Sequence, residues 1–463
     1  MGAKCFVIEF ETGLTKKDRD LCEKKLRVGK QIYNSALGTA IKRAKSLYHD
    51  PEYIACKKAL ADLYQEADKR GDNVSEKKSK SRKPKRNVLP DDLAARRDEI
   101  YAVMNALRAK HQWNGKYCLN DQRTKMKQHF DSAIGTTVVS QMVMRAQRTV
   151  EKIEKSEKEK IAPDGTKSYV PFDERIRAAR FVGRNEDFSI ESSSPNNGIY
   201  YRNGLLYFDR YTFIDVDASK CDKYEYYREA MRHKMKYCRL ISRTIRGQKR
   251  YYVQLILDGV PPMGKRNYAV GKKVDLVDVK ISHYDIRAKN GVEEIELAPK
   301  CKVNEEKIAE LNRKMDSSRR ANNPEKYNPD GTINMGAKRI PWVESNRYKK
   351  LKAKHQDISR KNAATRKICL EKQANEILEQ GTDITIQHLS YKKLQKRKDK
   401  TEINEKTGQP KTKSVAGKAI ANRSPSYFVS ALVRKASYVD GEVIDLSGRE
   451  KLTEAESEHV LTT

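Results

Sequence analysis

The chain has 463 residues, and its 96 Lys plus Arg outnumber 63 Asp plus Glu to give a formal net charge of +33. A charge of that size repels itself unless a polyanion neutralises it, and a phosphate backbone is the commonest partner of that kind. Basic residues are spread along the whole length, and hydrophobic residues at 37% suffice for cores, which argues against a disordered basic tail.

Eight cysteines occur singly, with no C-x-x-C spacing, which argues against a tetrahedral zinc site and fits a reducing cytoplasm. The first residues, MGAKCFVIEFETG, lack a secretory apolar core, and no run approaches the roughly 20 apolar residues of a membrane span, so no membrane partner is expected.

Residues 4–10 read as a strand. Thr15, with Asp18 three residues on, reads as the N-cap of a helical region reaching about residue 70. Residues 71–90 hold a lysine- and arginine-rich loop that either meets phosphate or is a solvated linker. Helical sequence resumes from Pro90 to about 158, and Asn120 to Ile153 reads as one amphipathic run with a basic side. Trp113 and Tyr117 are either base-stacking rings or aromatic core.

Short strands are expected at 181–182, 188–190, 198–201, 205–208 and 211–214. A hairpin is expected from Tyr237 to Leu257 with its turn at Arg246-Gly247-Gln248. Such regularly spaced strands suggest a small barrel. Arg239, Arg243, Arg246, Lys249 and Arg250 make the hairpin densely basic.

Beyond Pro261-Pro262 the pattern alternates: a strand at Val274–Val279, a helix at about 303–320 carrying Arg319 and Arg320, and a loop over 322–340. A long helix follows over about 345–380, with Lys349, Lys350, Lys354 and Arg360 on it. Then come a strand at 383–389, a basic loop at 392–416, a helix near 425–438 and a strand at 442–446, the mark of an α/β sheet domain.

Several segments together resemble the TnpB family of transposon-encoded RNA-guided nucleases, relatives of type V CRISPR effectors. They include Arg246-Gly247 through Pro261-Pro262, Met315-Asp316-Ser317-Ser318-Arg319-Arg320, Asn328-Pro329-Asp330-Gly331-Thr332, Thr401 through Gly408, and Gly417 through Pro425. The resemblance implies an α/β multidomain fold. A wedge β-barrel (1–14 and 159–262) would hold an inserted helical recognition lobe (15–158), and a RuvC domain of RNase H-like α/β type, degenerate and C-terminally truncated, would occupy 263–463.

Proteins of that family cut DNA with divalent ions held by an aspartate on the first RuvC strand, a glutamate on a later strand and a further C-terminal aspartate. The resemblance places Asp278 at the first position, with Asp275 a weaker alternative, and lysine (Lys280) follows where glycine is usual. Neutral Gln387 stands at the second, and the sequence ends at Thr463 before a third is expected. Asp383 or Glu379 substituting for the lost acid is the alternative alignment.

The implied function is that of the TnpB-like nuclease-dead repressors: a monomeric ribonucleoprotein that binds guide RNA and double-stranded DNA, forms an R-loop beside a short motif and blocks transcription, with no catalytic metal. The arginines and lysines named above would be its RNA and DNA contacts, and Thr136, Thr137 and Gln141 are the candidates for reading the short motif. The alternative is an active RNA-guided endonuclease with a displaced metal site.

Overall fold

Strand β1 (Cys5–Thr12) alternates outward and inward residues, and Phe6, Ile8 and Phe10 point into the core. After it, Thr15 caps helix α1 (Lys16–Tyr48): its Oγ1 accepts from the Asp18 N–H at 3.2 Å, and Asp18 Oδ2 accepts from the Thr15 N–H at 3.3 Å. The chain is seen here in a computed structural model that describes residues 4–70, 89–115, 117–130, 133–156, 159–161, 167–262, 268–288, 291–299, 304–334, 336–395 and 416–447. The basic loop expected at 71–90 falls almost wholly outside these, as does most of that at 392–416. Two compact units are present, Met1–Thr244 with Lys249–Gly259, and Ile245–Gln248 with Val260–Thr463.

In the first unit the helical stretch expected to run to residue 70 is broken. Helix α2 (Pro51–Arg70) starts at a proline that has no N–H to continue α1, and Asp50 Oδ1 accepts from the Glu52 N–H at 3.0 Å. Helix α3 (Asp91–Lys110) follows. The run expected over Asn120–Ile153 is also two helices, α4 (Asn120–His129) and α5 (Thr136–Lys155). Gly135, the N-cap of α5, has an extended backbone and lies so close to Gly198 that a Cβ there would meet the Gly198 Cα at 3.0 Å.

The apolar face of α5 (Val138, Val139, Met142, Val143, Ala146, Val150) packs with α1, whose Ala36, Ala40 and Ala44 let the two backbones approach. This is the plain core expected for that stripe.

The strands of the first unit are short. They are β2 (Glu159–Ile161), β3 (Lys167–Tyr169), β4 (Ser189–Glu191), β5 (Tyr200–Arg202), β6 (Leu205–Tyr207), β7 (Phe213–Asp217), and the long pair β8 (Met235–Ile245) and β9 (Gln248–Asp258). Helices α6 (Phe172–Ile176), α7 (Ser219–Lys223) and α8 (Glu225–Ala230) connect them. Seven strands form one curled sheet in the order β4-β8-β9-β1-β7-β6-β5. Its end strands β4 and β5 do not pair among the described residues, so the expected barrel is a half-barrel.

The expected strand at Phe181-Val182 is absent, because the Asn34 amide of α1 takes both backbone groups of Val182, each at 2.9 Å, in place of a neighbouring strand. The hairpin turn is as expected: Arg246 (φ 53°) and Gly247 (φ 78°) are both left-handed, the form that matches strand twist.

The second unit carries a five-stranded sheet ordered β12-β11-β10-β13-β14: β10 (Lys273–Val279), β11 (His283–Ala288), β12 (Gly291–Glu296), β13 (Asp383–His388) and β14 (Val443–Asp445). The first three pair antiparallel, and β10, β13 and β14 run parallel. Helices α9 (Glu305–Ala321) and α10 (Asn346–Gln380) cross from β12 to β13, and α11 (Tyr391–Leu394), α12 (Gly417–Arg423) and α13 (Pro425–Tyr438) come before β14.

One face of the sheet (Val277, Val279, Tyr284, Ile286, Ile384, Ile386) packs with Leu370, Ala374, Ile377 and Leu378 of α10 and Phe428, Ala431 and Leu432 of α13. Gly441 is required before β14, since a Cβ there would meet the Thr382 carbonyl oxygen at 2.3 Å. No described helix is long and apolar enough to cross a membrane.

Candidate functional site

The alternation that buries Val277 and Val279 turns Asp278 to the opposite, polar face of the sheet. In register, Asp278 stands directly beside Gln387 of β13 and directly opposite Asp285 of β11. Asp275 has no such partner, because the β10–β13 ladder slips between Val274 and Leu276. Asp383 pairs with Lys273, four residues or roughly 13 Å of strand from Gln387, and its Oδ1 accepts from the Glu442 N–H at 3.0 Å. Glu379 lies at the end of α10.

The charges around Asp278 are already matched. Arg287 Nη2 lies 3.6 Å from Asp278 Oδ2. Lys280 Nζ donates to Asp285 Oδ2 at 2.6 Å, and this hydrogen bond raises the lysine's pKa above its ordinary value. Two Mg²⁺ ions need several free anionic oxygens. Here Asp278 faces a guanidinium, its neighbour on β13 is a neutral amide, and the Asp285 carboxylate opposite it is held by Lys280, a set that fits two such ions poorly.

The basic hairpin is likewise matched from within. Arg239 Nε donates to Glu191 Oε2 at 2.6 Å, and Arg243 forks onto both oxygens of Glu9, each at 2.6 Å. Lys249 Nζ reaches both oxygens of Glu23 at 2.9 Å, and Arg250 Nη1 reaches Glu11 at 3.3 Å. Burial alone would raise the Glu23 carboxyl, but hydrogen bonds from Lys249 and Tyr251 outweigh it and lower the pKa. Within the second unit, the exposed Arg246 lies 3.4 Å from Asp357. The sequence shows the cations clustered, whereas their glutamates come from β1, α1 and β4, far away in the chain.

Arg319 stacks on Trp342 with its guanidinium carbon 3.8 Å from the ring centroid. Arg320 donates to Asp316 at 2.7 Å and to the Gly331 carbonyl at 2.9 Å, and lies over Tyr327. Arg360 donates to Asp357 at 2.8 Å, and that hydrogen bond is the main cause holding the Asp357 carboxyl down at about 2. Lys349, Lys350 and Lys354 are exposed on the first half of α10 and make no ion pair among the described residues.

Thr136 is exposed at the first turn of α5, and Gln141 is half-buried. Thr137 Oγ1 lies 3.4 Å from the Asn197 carbonyl, to which it donates, and accepts from Ser192 Oγ at 3.1 Å. Trp113 is core: it is 3% exposed and its Nε1 donates to Glu154 at 3.1 Å, whereas Tyr117 is 58% exposed.

Sequence reasoning missed one cluster. His283, Asp285 and Glu294 bring a donor atom each within 4.8 Å of one another on the β11–β12 hairpin. The alternation of His283-Tyr284-Asp285-Ile286-Arg287, followed by Asn290-Gly291, is the signal that could have revealed that hairpin.

No family model matches the chain, and no curated protein matches it. Among solved structures it is similar to the protein of a cryo-EM structure of a Cas12f1–sgRNA–target DNA complex, at 12% identity and TM-score 0.35, over 96% of this chain and 90% of that one. It is also similar to a chain of a CRISPR–Cas12f ternary complex, at 12% identity and TM-score 0.22, over 93% and 72%. Neither score reaches the level of a shared fold.

Proposed function

We propose that the protein is an RNA-guided DNA-binding protein that does not cut DNA and represses transcription by occupying its target. The observation that carries this reading is the pairing of Asp278 with Gln387 across adjacent parallel strands, with Arg287 beside the Asp278 carboxylate. An amide in that place supplies no charge to a divalent ion, and charge neutralisation is a large part of metal-assisted phosphodiester cleavage.

The net charge of +33 supports a polyanionic partner. Guide RNA and duplex DNA are the partners that the resemblance in sequence motifs suggests. Pairing a guide with one DNA strand exchanges one duplex for another of similar stability, so R-loop formation needs no hydrolysis. The protein's part is to hold the RNA, grip the backbone and read a short adjoining motif. Lys349, Lys350 and Lys354 are the cations best placed to grip a backbone, because they are exposed and make no ion pair among the described residues.

The test is to purify the full chain from its host, sequence the RNA that comes with it and map crosslinked DNA. A discrete RNA whose 5′ or 3′ segment matches the crosslinked DNA, with an Mg²⁺-treated target plasmid left intact, is the expected result. No discrete RNA removes guidance from the reading. Guide-dependent nicking lost in Asp278→Ala overturns the inactive reading in favour of an endonuclease with a displaced metal site.

A further inference from the structure

We propose that His283, Asp285 and Glu294 form a binding site for one borderline divalent cation of the zinc class, clipping β11 to the edge strand β12. The three side chains share the polar face of the hairpin. Asp285 stands directly opposite Glu294, and His283 lies two residues away on the same strand, so alternation sends it to the same side. Their donor atoms lie within 4.8 Å of one another, and His283 Nδ1 is 3.8 Å from Glu294 Oε1. Ligands around a tetrahedral zinc at ~2.1 Å stand about 3.4 Å apart, so small side-chain rotations close the site.

A second observation points to a ligand here. The Asp285 side chain is 7% exposed. Its Oδ2 accepts from Lys280, but its Oδ1 is buried with no hydrogen-bond partner. A buried acceptor left unsatisfied costs about 1–3 kcal/mol, and more when it is charged. A cation at Oδ1 removes that cost, and Lys280 then serves to fix the carboxylate's orientation.

The donor set selects the ion. One imidazole nitrogen with two carboxylates suits zinc-class ions, whereas Mg²⁺ wants oxygens alone and near-ideal octahedral geometry. The place in the sheet gives such a clip a purpose. Strand β12 is an edge whose first four residues are all exposed, so little packing holds it against β11. The cluster adjoins the Asp278–Gln387 pair, because Asp285 stands opposite Asp278 in register, but its three ligands lie on β11 and β12 alone.

The experiment uses the full chain after chelator treatment, titrated with Co²⁺ and followed by its d–d absorption, then by Zn²⁺ displacement. One equivalent of Co²⁺ with nitrogen ligation is expected, displaced by Zn²⁺ and not by a large excess of Mg²⁺. His283→Gln and Glu294→Gln should each weaken binding at least tenfold. Glu294 is largely exposed, so its variant should fold, and a metal-free thermal melt matching the parent verifies this. Absence of Co²⁺ binding, displacement by Mg²⁺, or undiminished binding in both variants overturns the site. The last outcome assigns the ion to thiols or histidines elsewhere. Cleavage is not the readout, so the result stands whether or not the chain cuts DNA.

Discussion

Placing a second charge beside Asp278 by Gln387→Glu is the sharpest perturbation of the polar sheet face. The register sets the new carboxylate beside Asp278, one strand or ~5 Å away. Two unit charges at that distance repel by about 3 kcal/mol at an effective dielectric of 20, and by about 1 kcal/mol in water-like surroundings. The Asp278 side chain is 18% exposed and Arg287 lies 3.6 Å from it, so the outcome should fall near the lower figure. The variant should therefore lose about 1 kcal/mol in urea unfolding at neutral pH and low salt.

Repulsion raises the new glutamate's pKa in the folded state, so the deficit should grow as pH rises through that value and shrink as salt is added. Lys280 and Arg287 still engage the neighbouring acids, so Mg²⁺ should neither restore the lost stability nor elicit plasmid cleavage. Selective stabilisation of the variant by millimolar Mg²⁺, together with guide-dependent cutting, would falsify the assignment of this face as unfit for catalytic metal.

Three further tests address charge elsewhere. Glu371, half-buried on α10, accepts from Tyr427, Arg434 and Lys435. Burial alone would raise its pKa, but those bonds hold it at about 2 against an ordinary 4.5. Its contribution is complete above pH 4.5 and fades as pH falls from there toward 2. Glu371→Gln should cost about 1–2 kcal/mol at pH 7, after discounting for solvent screening, and flatten the acid limb of a stability–pH curve. A double-mutant cycle on Arg243 and Glu9 should give a coupling of about 0.5–1 kcal/mol, because the fork is well formed but nearly half-exposed. Replacing Lys349, Lys350 and Lys354 together by alanine should make the slope of log affinity for RNA against log salt shallower by about 2–3, measured by filter binding, with an unchanged melting temperature.

Local chemistry was legible wherever the residues that decide it are neighbours in sequence. The Thr15–Asp18 capping box and the turn at Arg246-Gly247 each depend on a few adjacent residues. The breaks within the helical regions were less legible: α4 ends at His129 and α5 starts after Gly135, whose close approach to Gly198, more than sixty residues on, leaves no local pattern. The Phe181-Val182 segment has the composition of a strand yet bonds to a single asparagine of α1. The alignment of Gln387 with Asp278 came from motif order, and the strand register now sets the two residues side by side. The charge state of the hairpin was invisible for a different reason: Glu9, Glu11 and Glu23 lie more than two hundred residues from the cations they meet, and Glu191 lies 48 from Arg239.

That internal matching changes how the basic hairpin should engage a nucleic acid. An unpaired lysine releases condensed counterions when it meets phosphate, which drives binding and makes it salt-dependent. A guanidinium already held by a glutamate must first give up that partner, and the glutamate must be resolvated near an incoming polyanion. Each half-exposed pair is worth only about 0.2–1 kcal/mol, so the exchange is accessible, but four of them together oppose any phosphate path that meets only one or two. On the proposed function, the glutamates would act as a filter for shape, favouring a folded backbone that meets several cations at once over a passing single strand. Glu9→Gln and Glu11→Gln should accordingly tighten binding to unstructured RNA more than to a structured guide. Equal tightening for both, in competition binding at one salt concentration, would show that the glutamates only lower the overall charge.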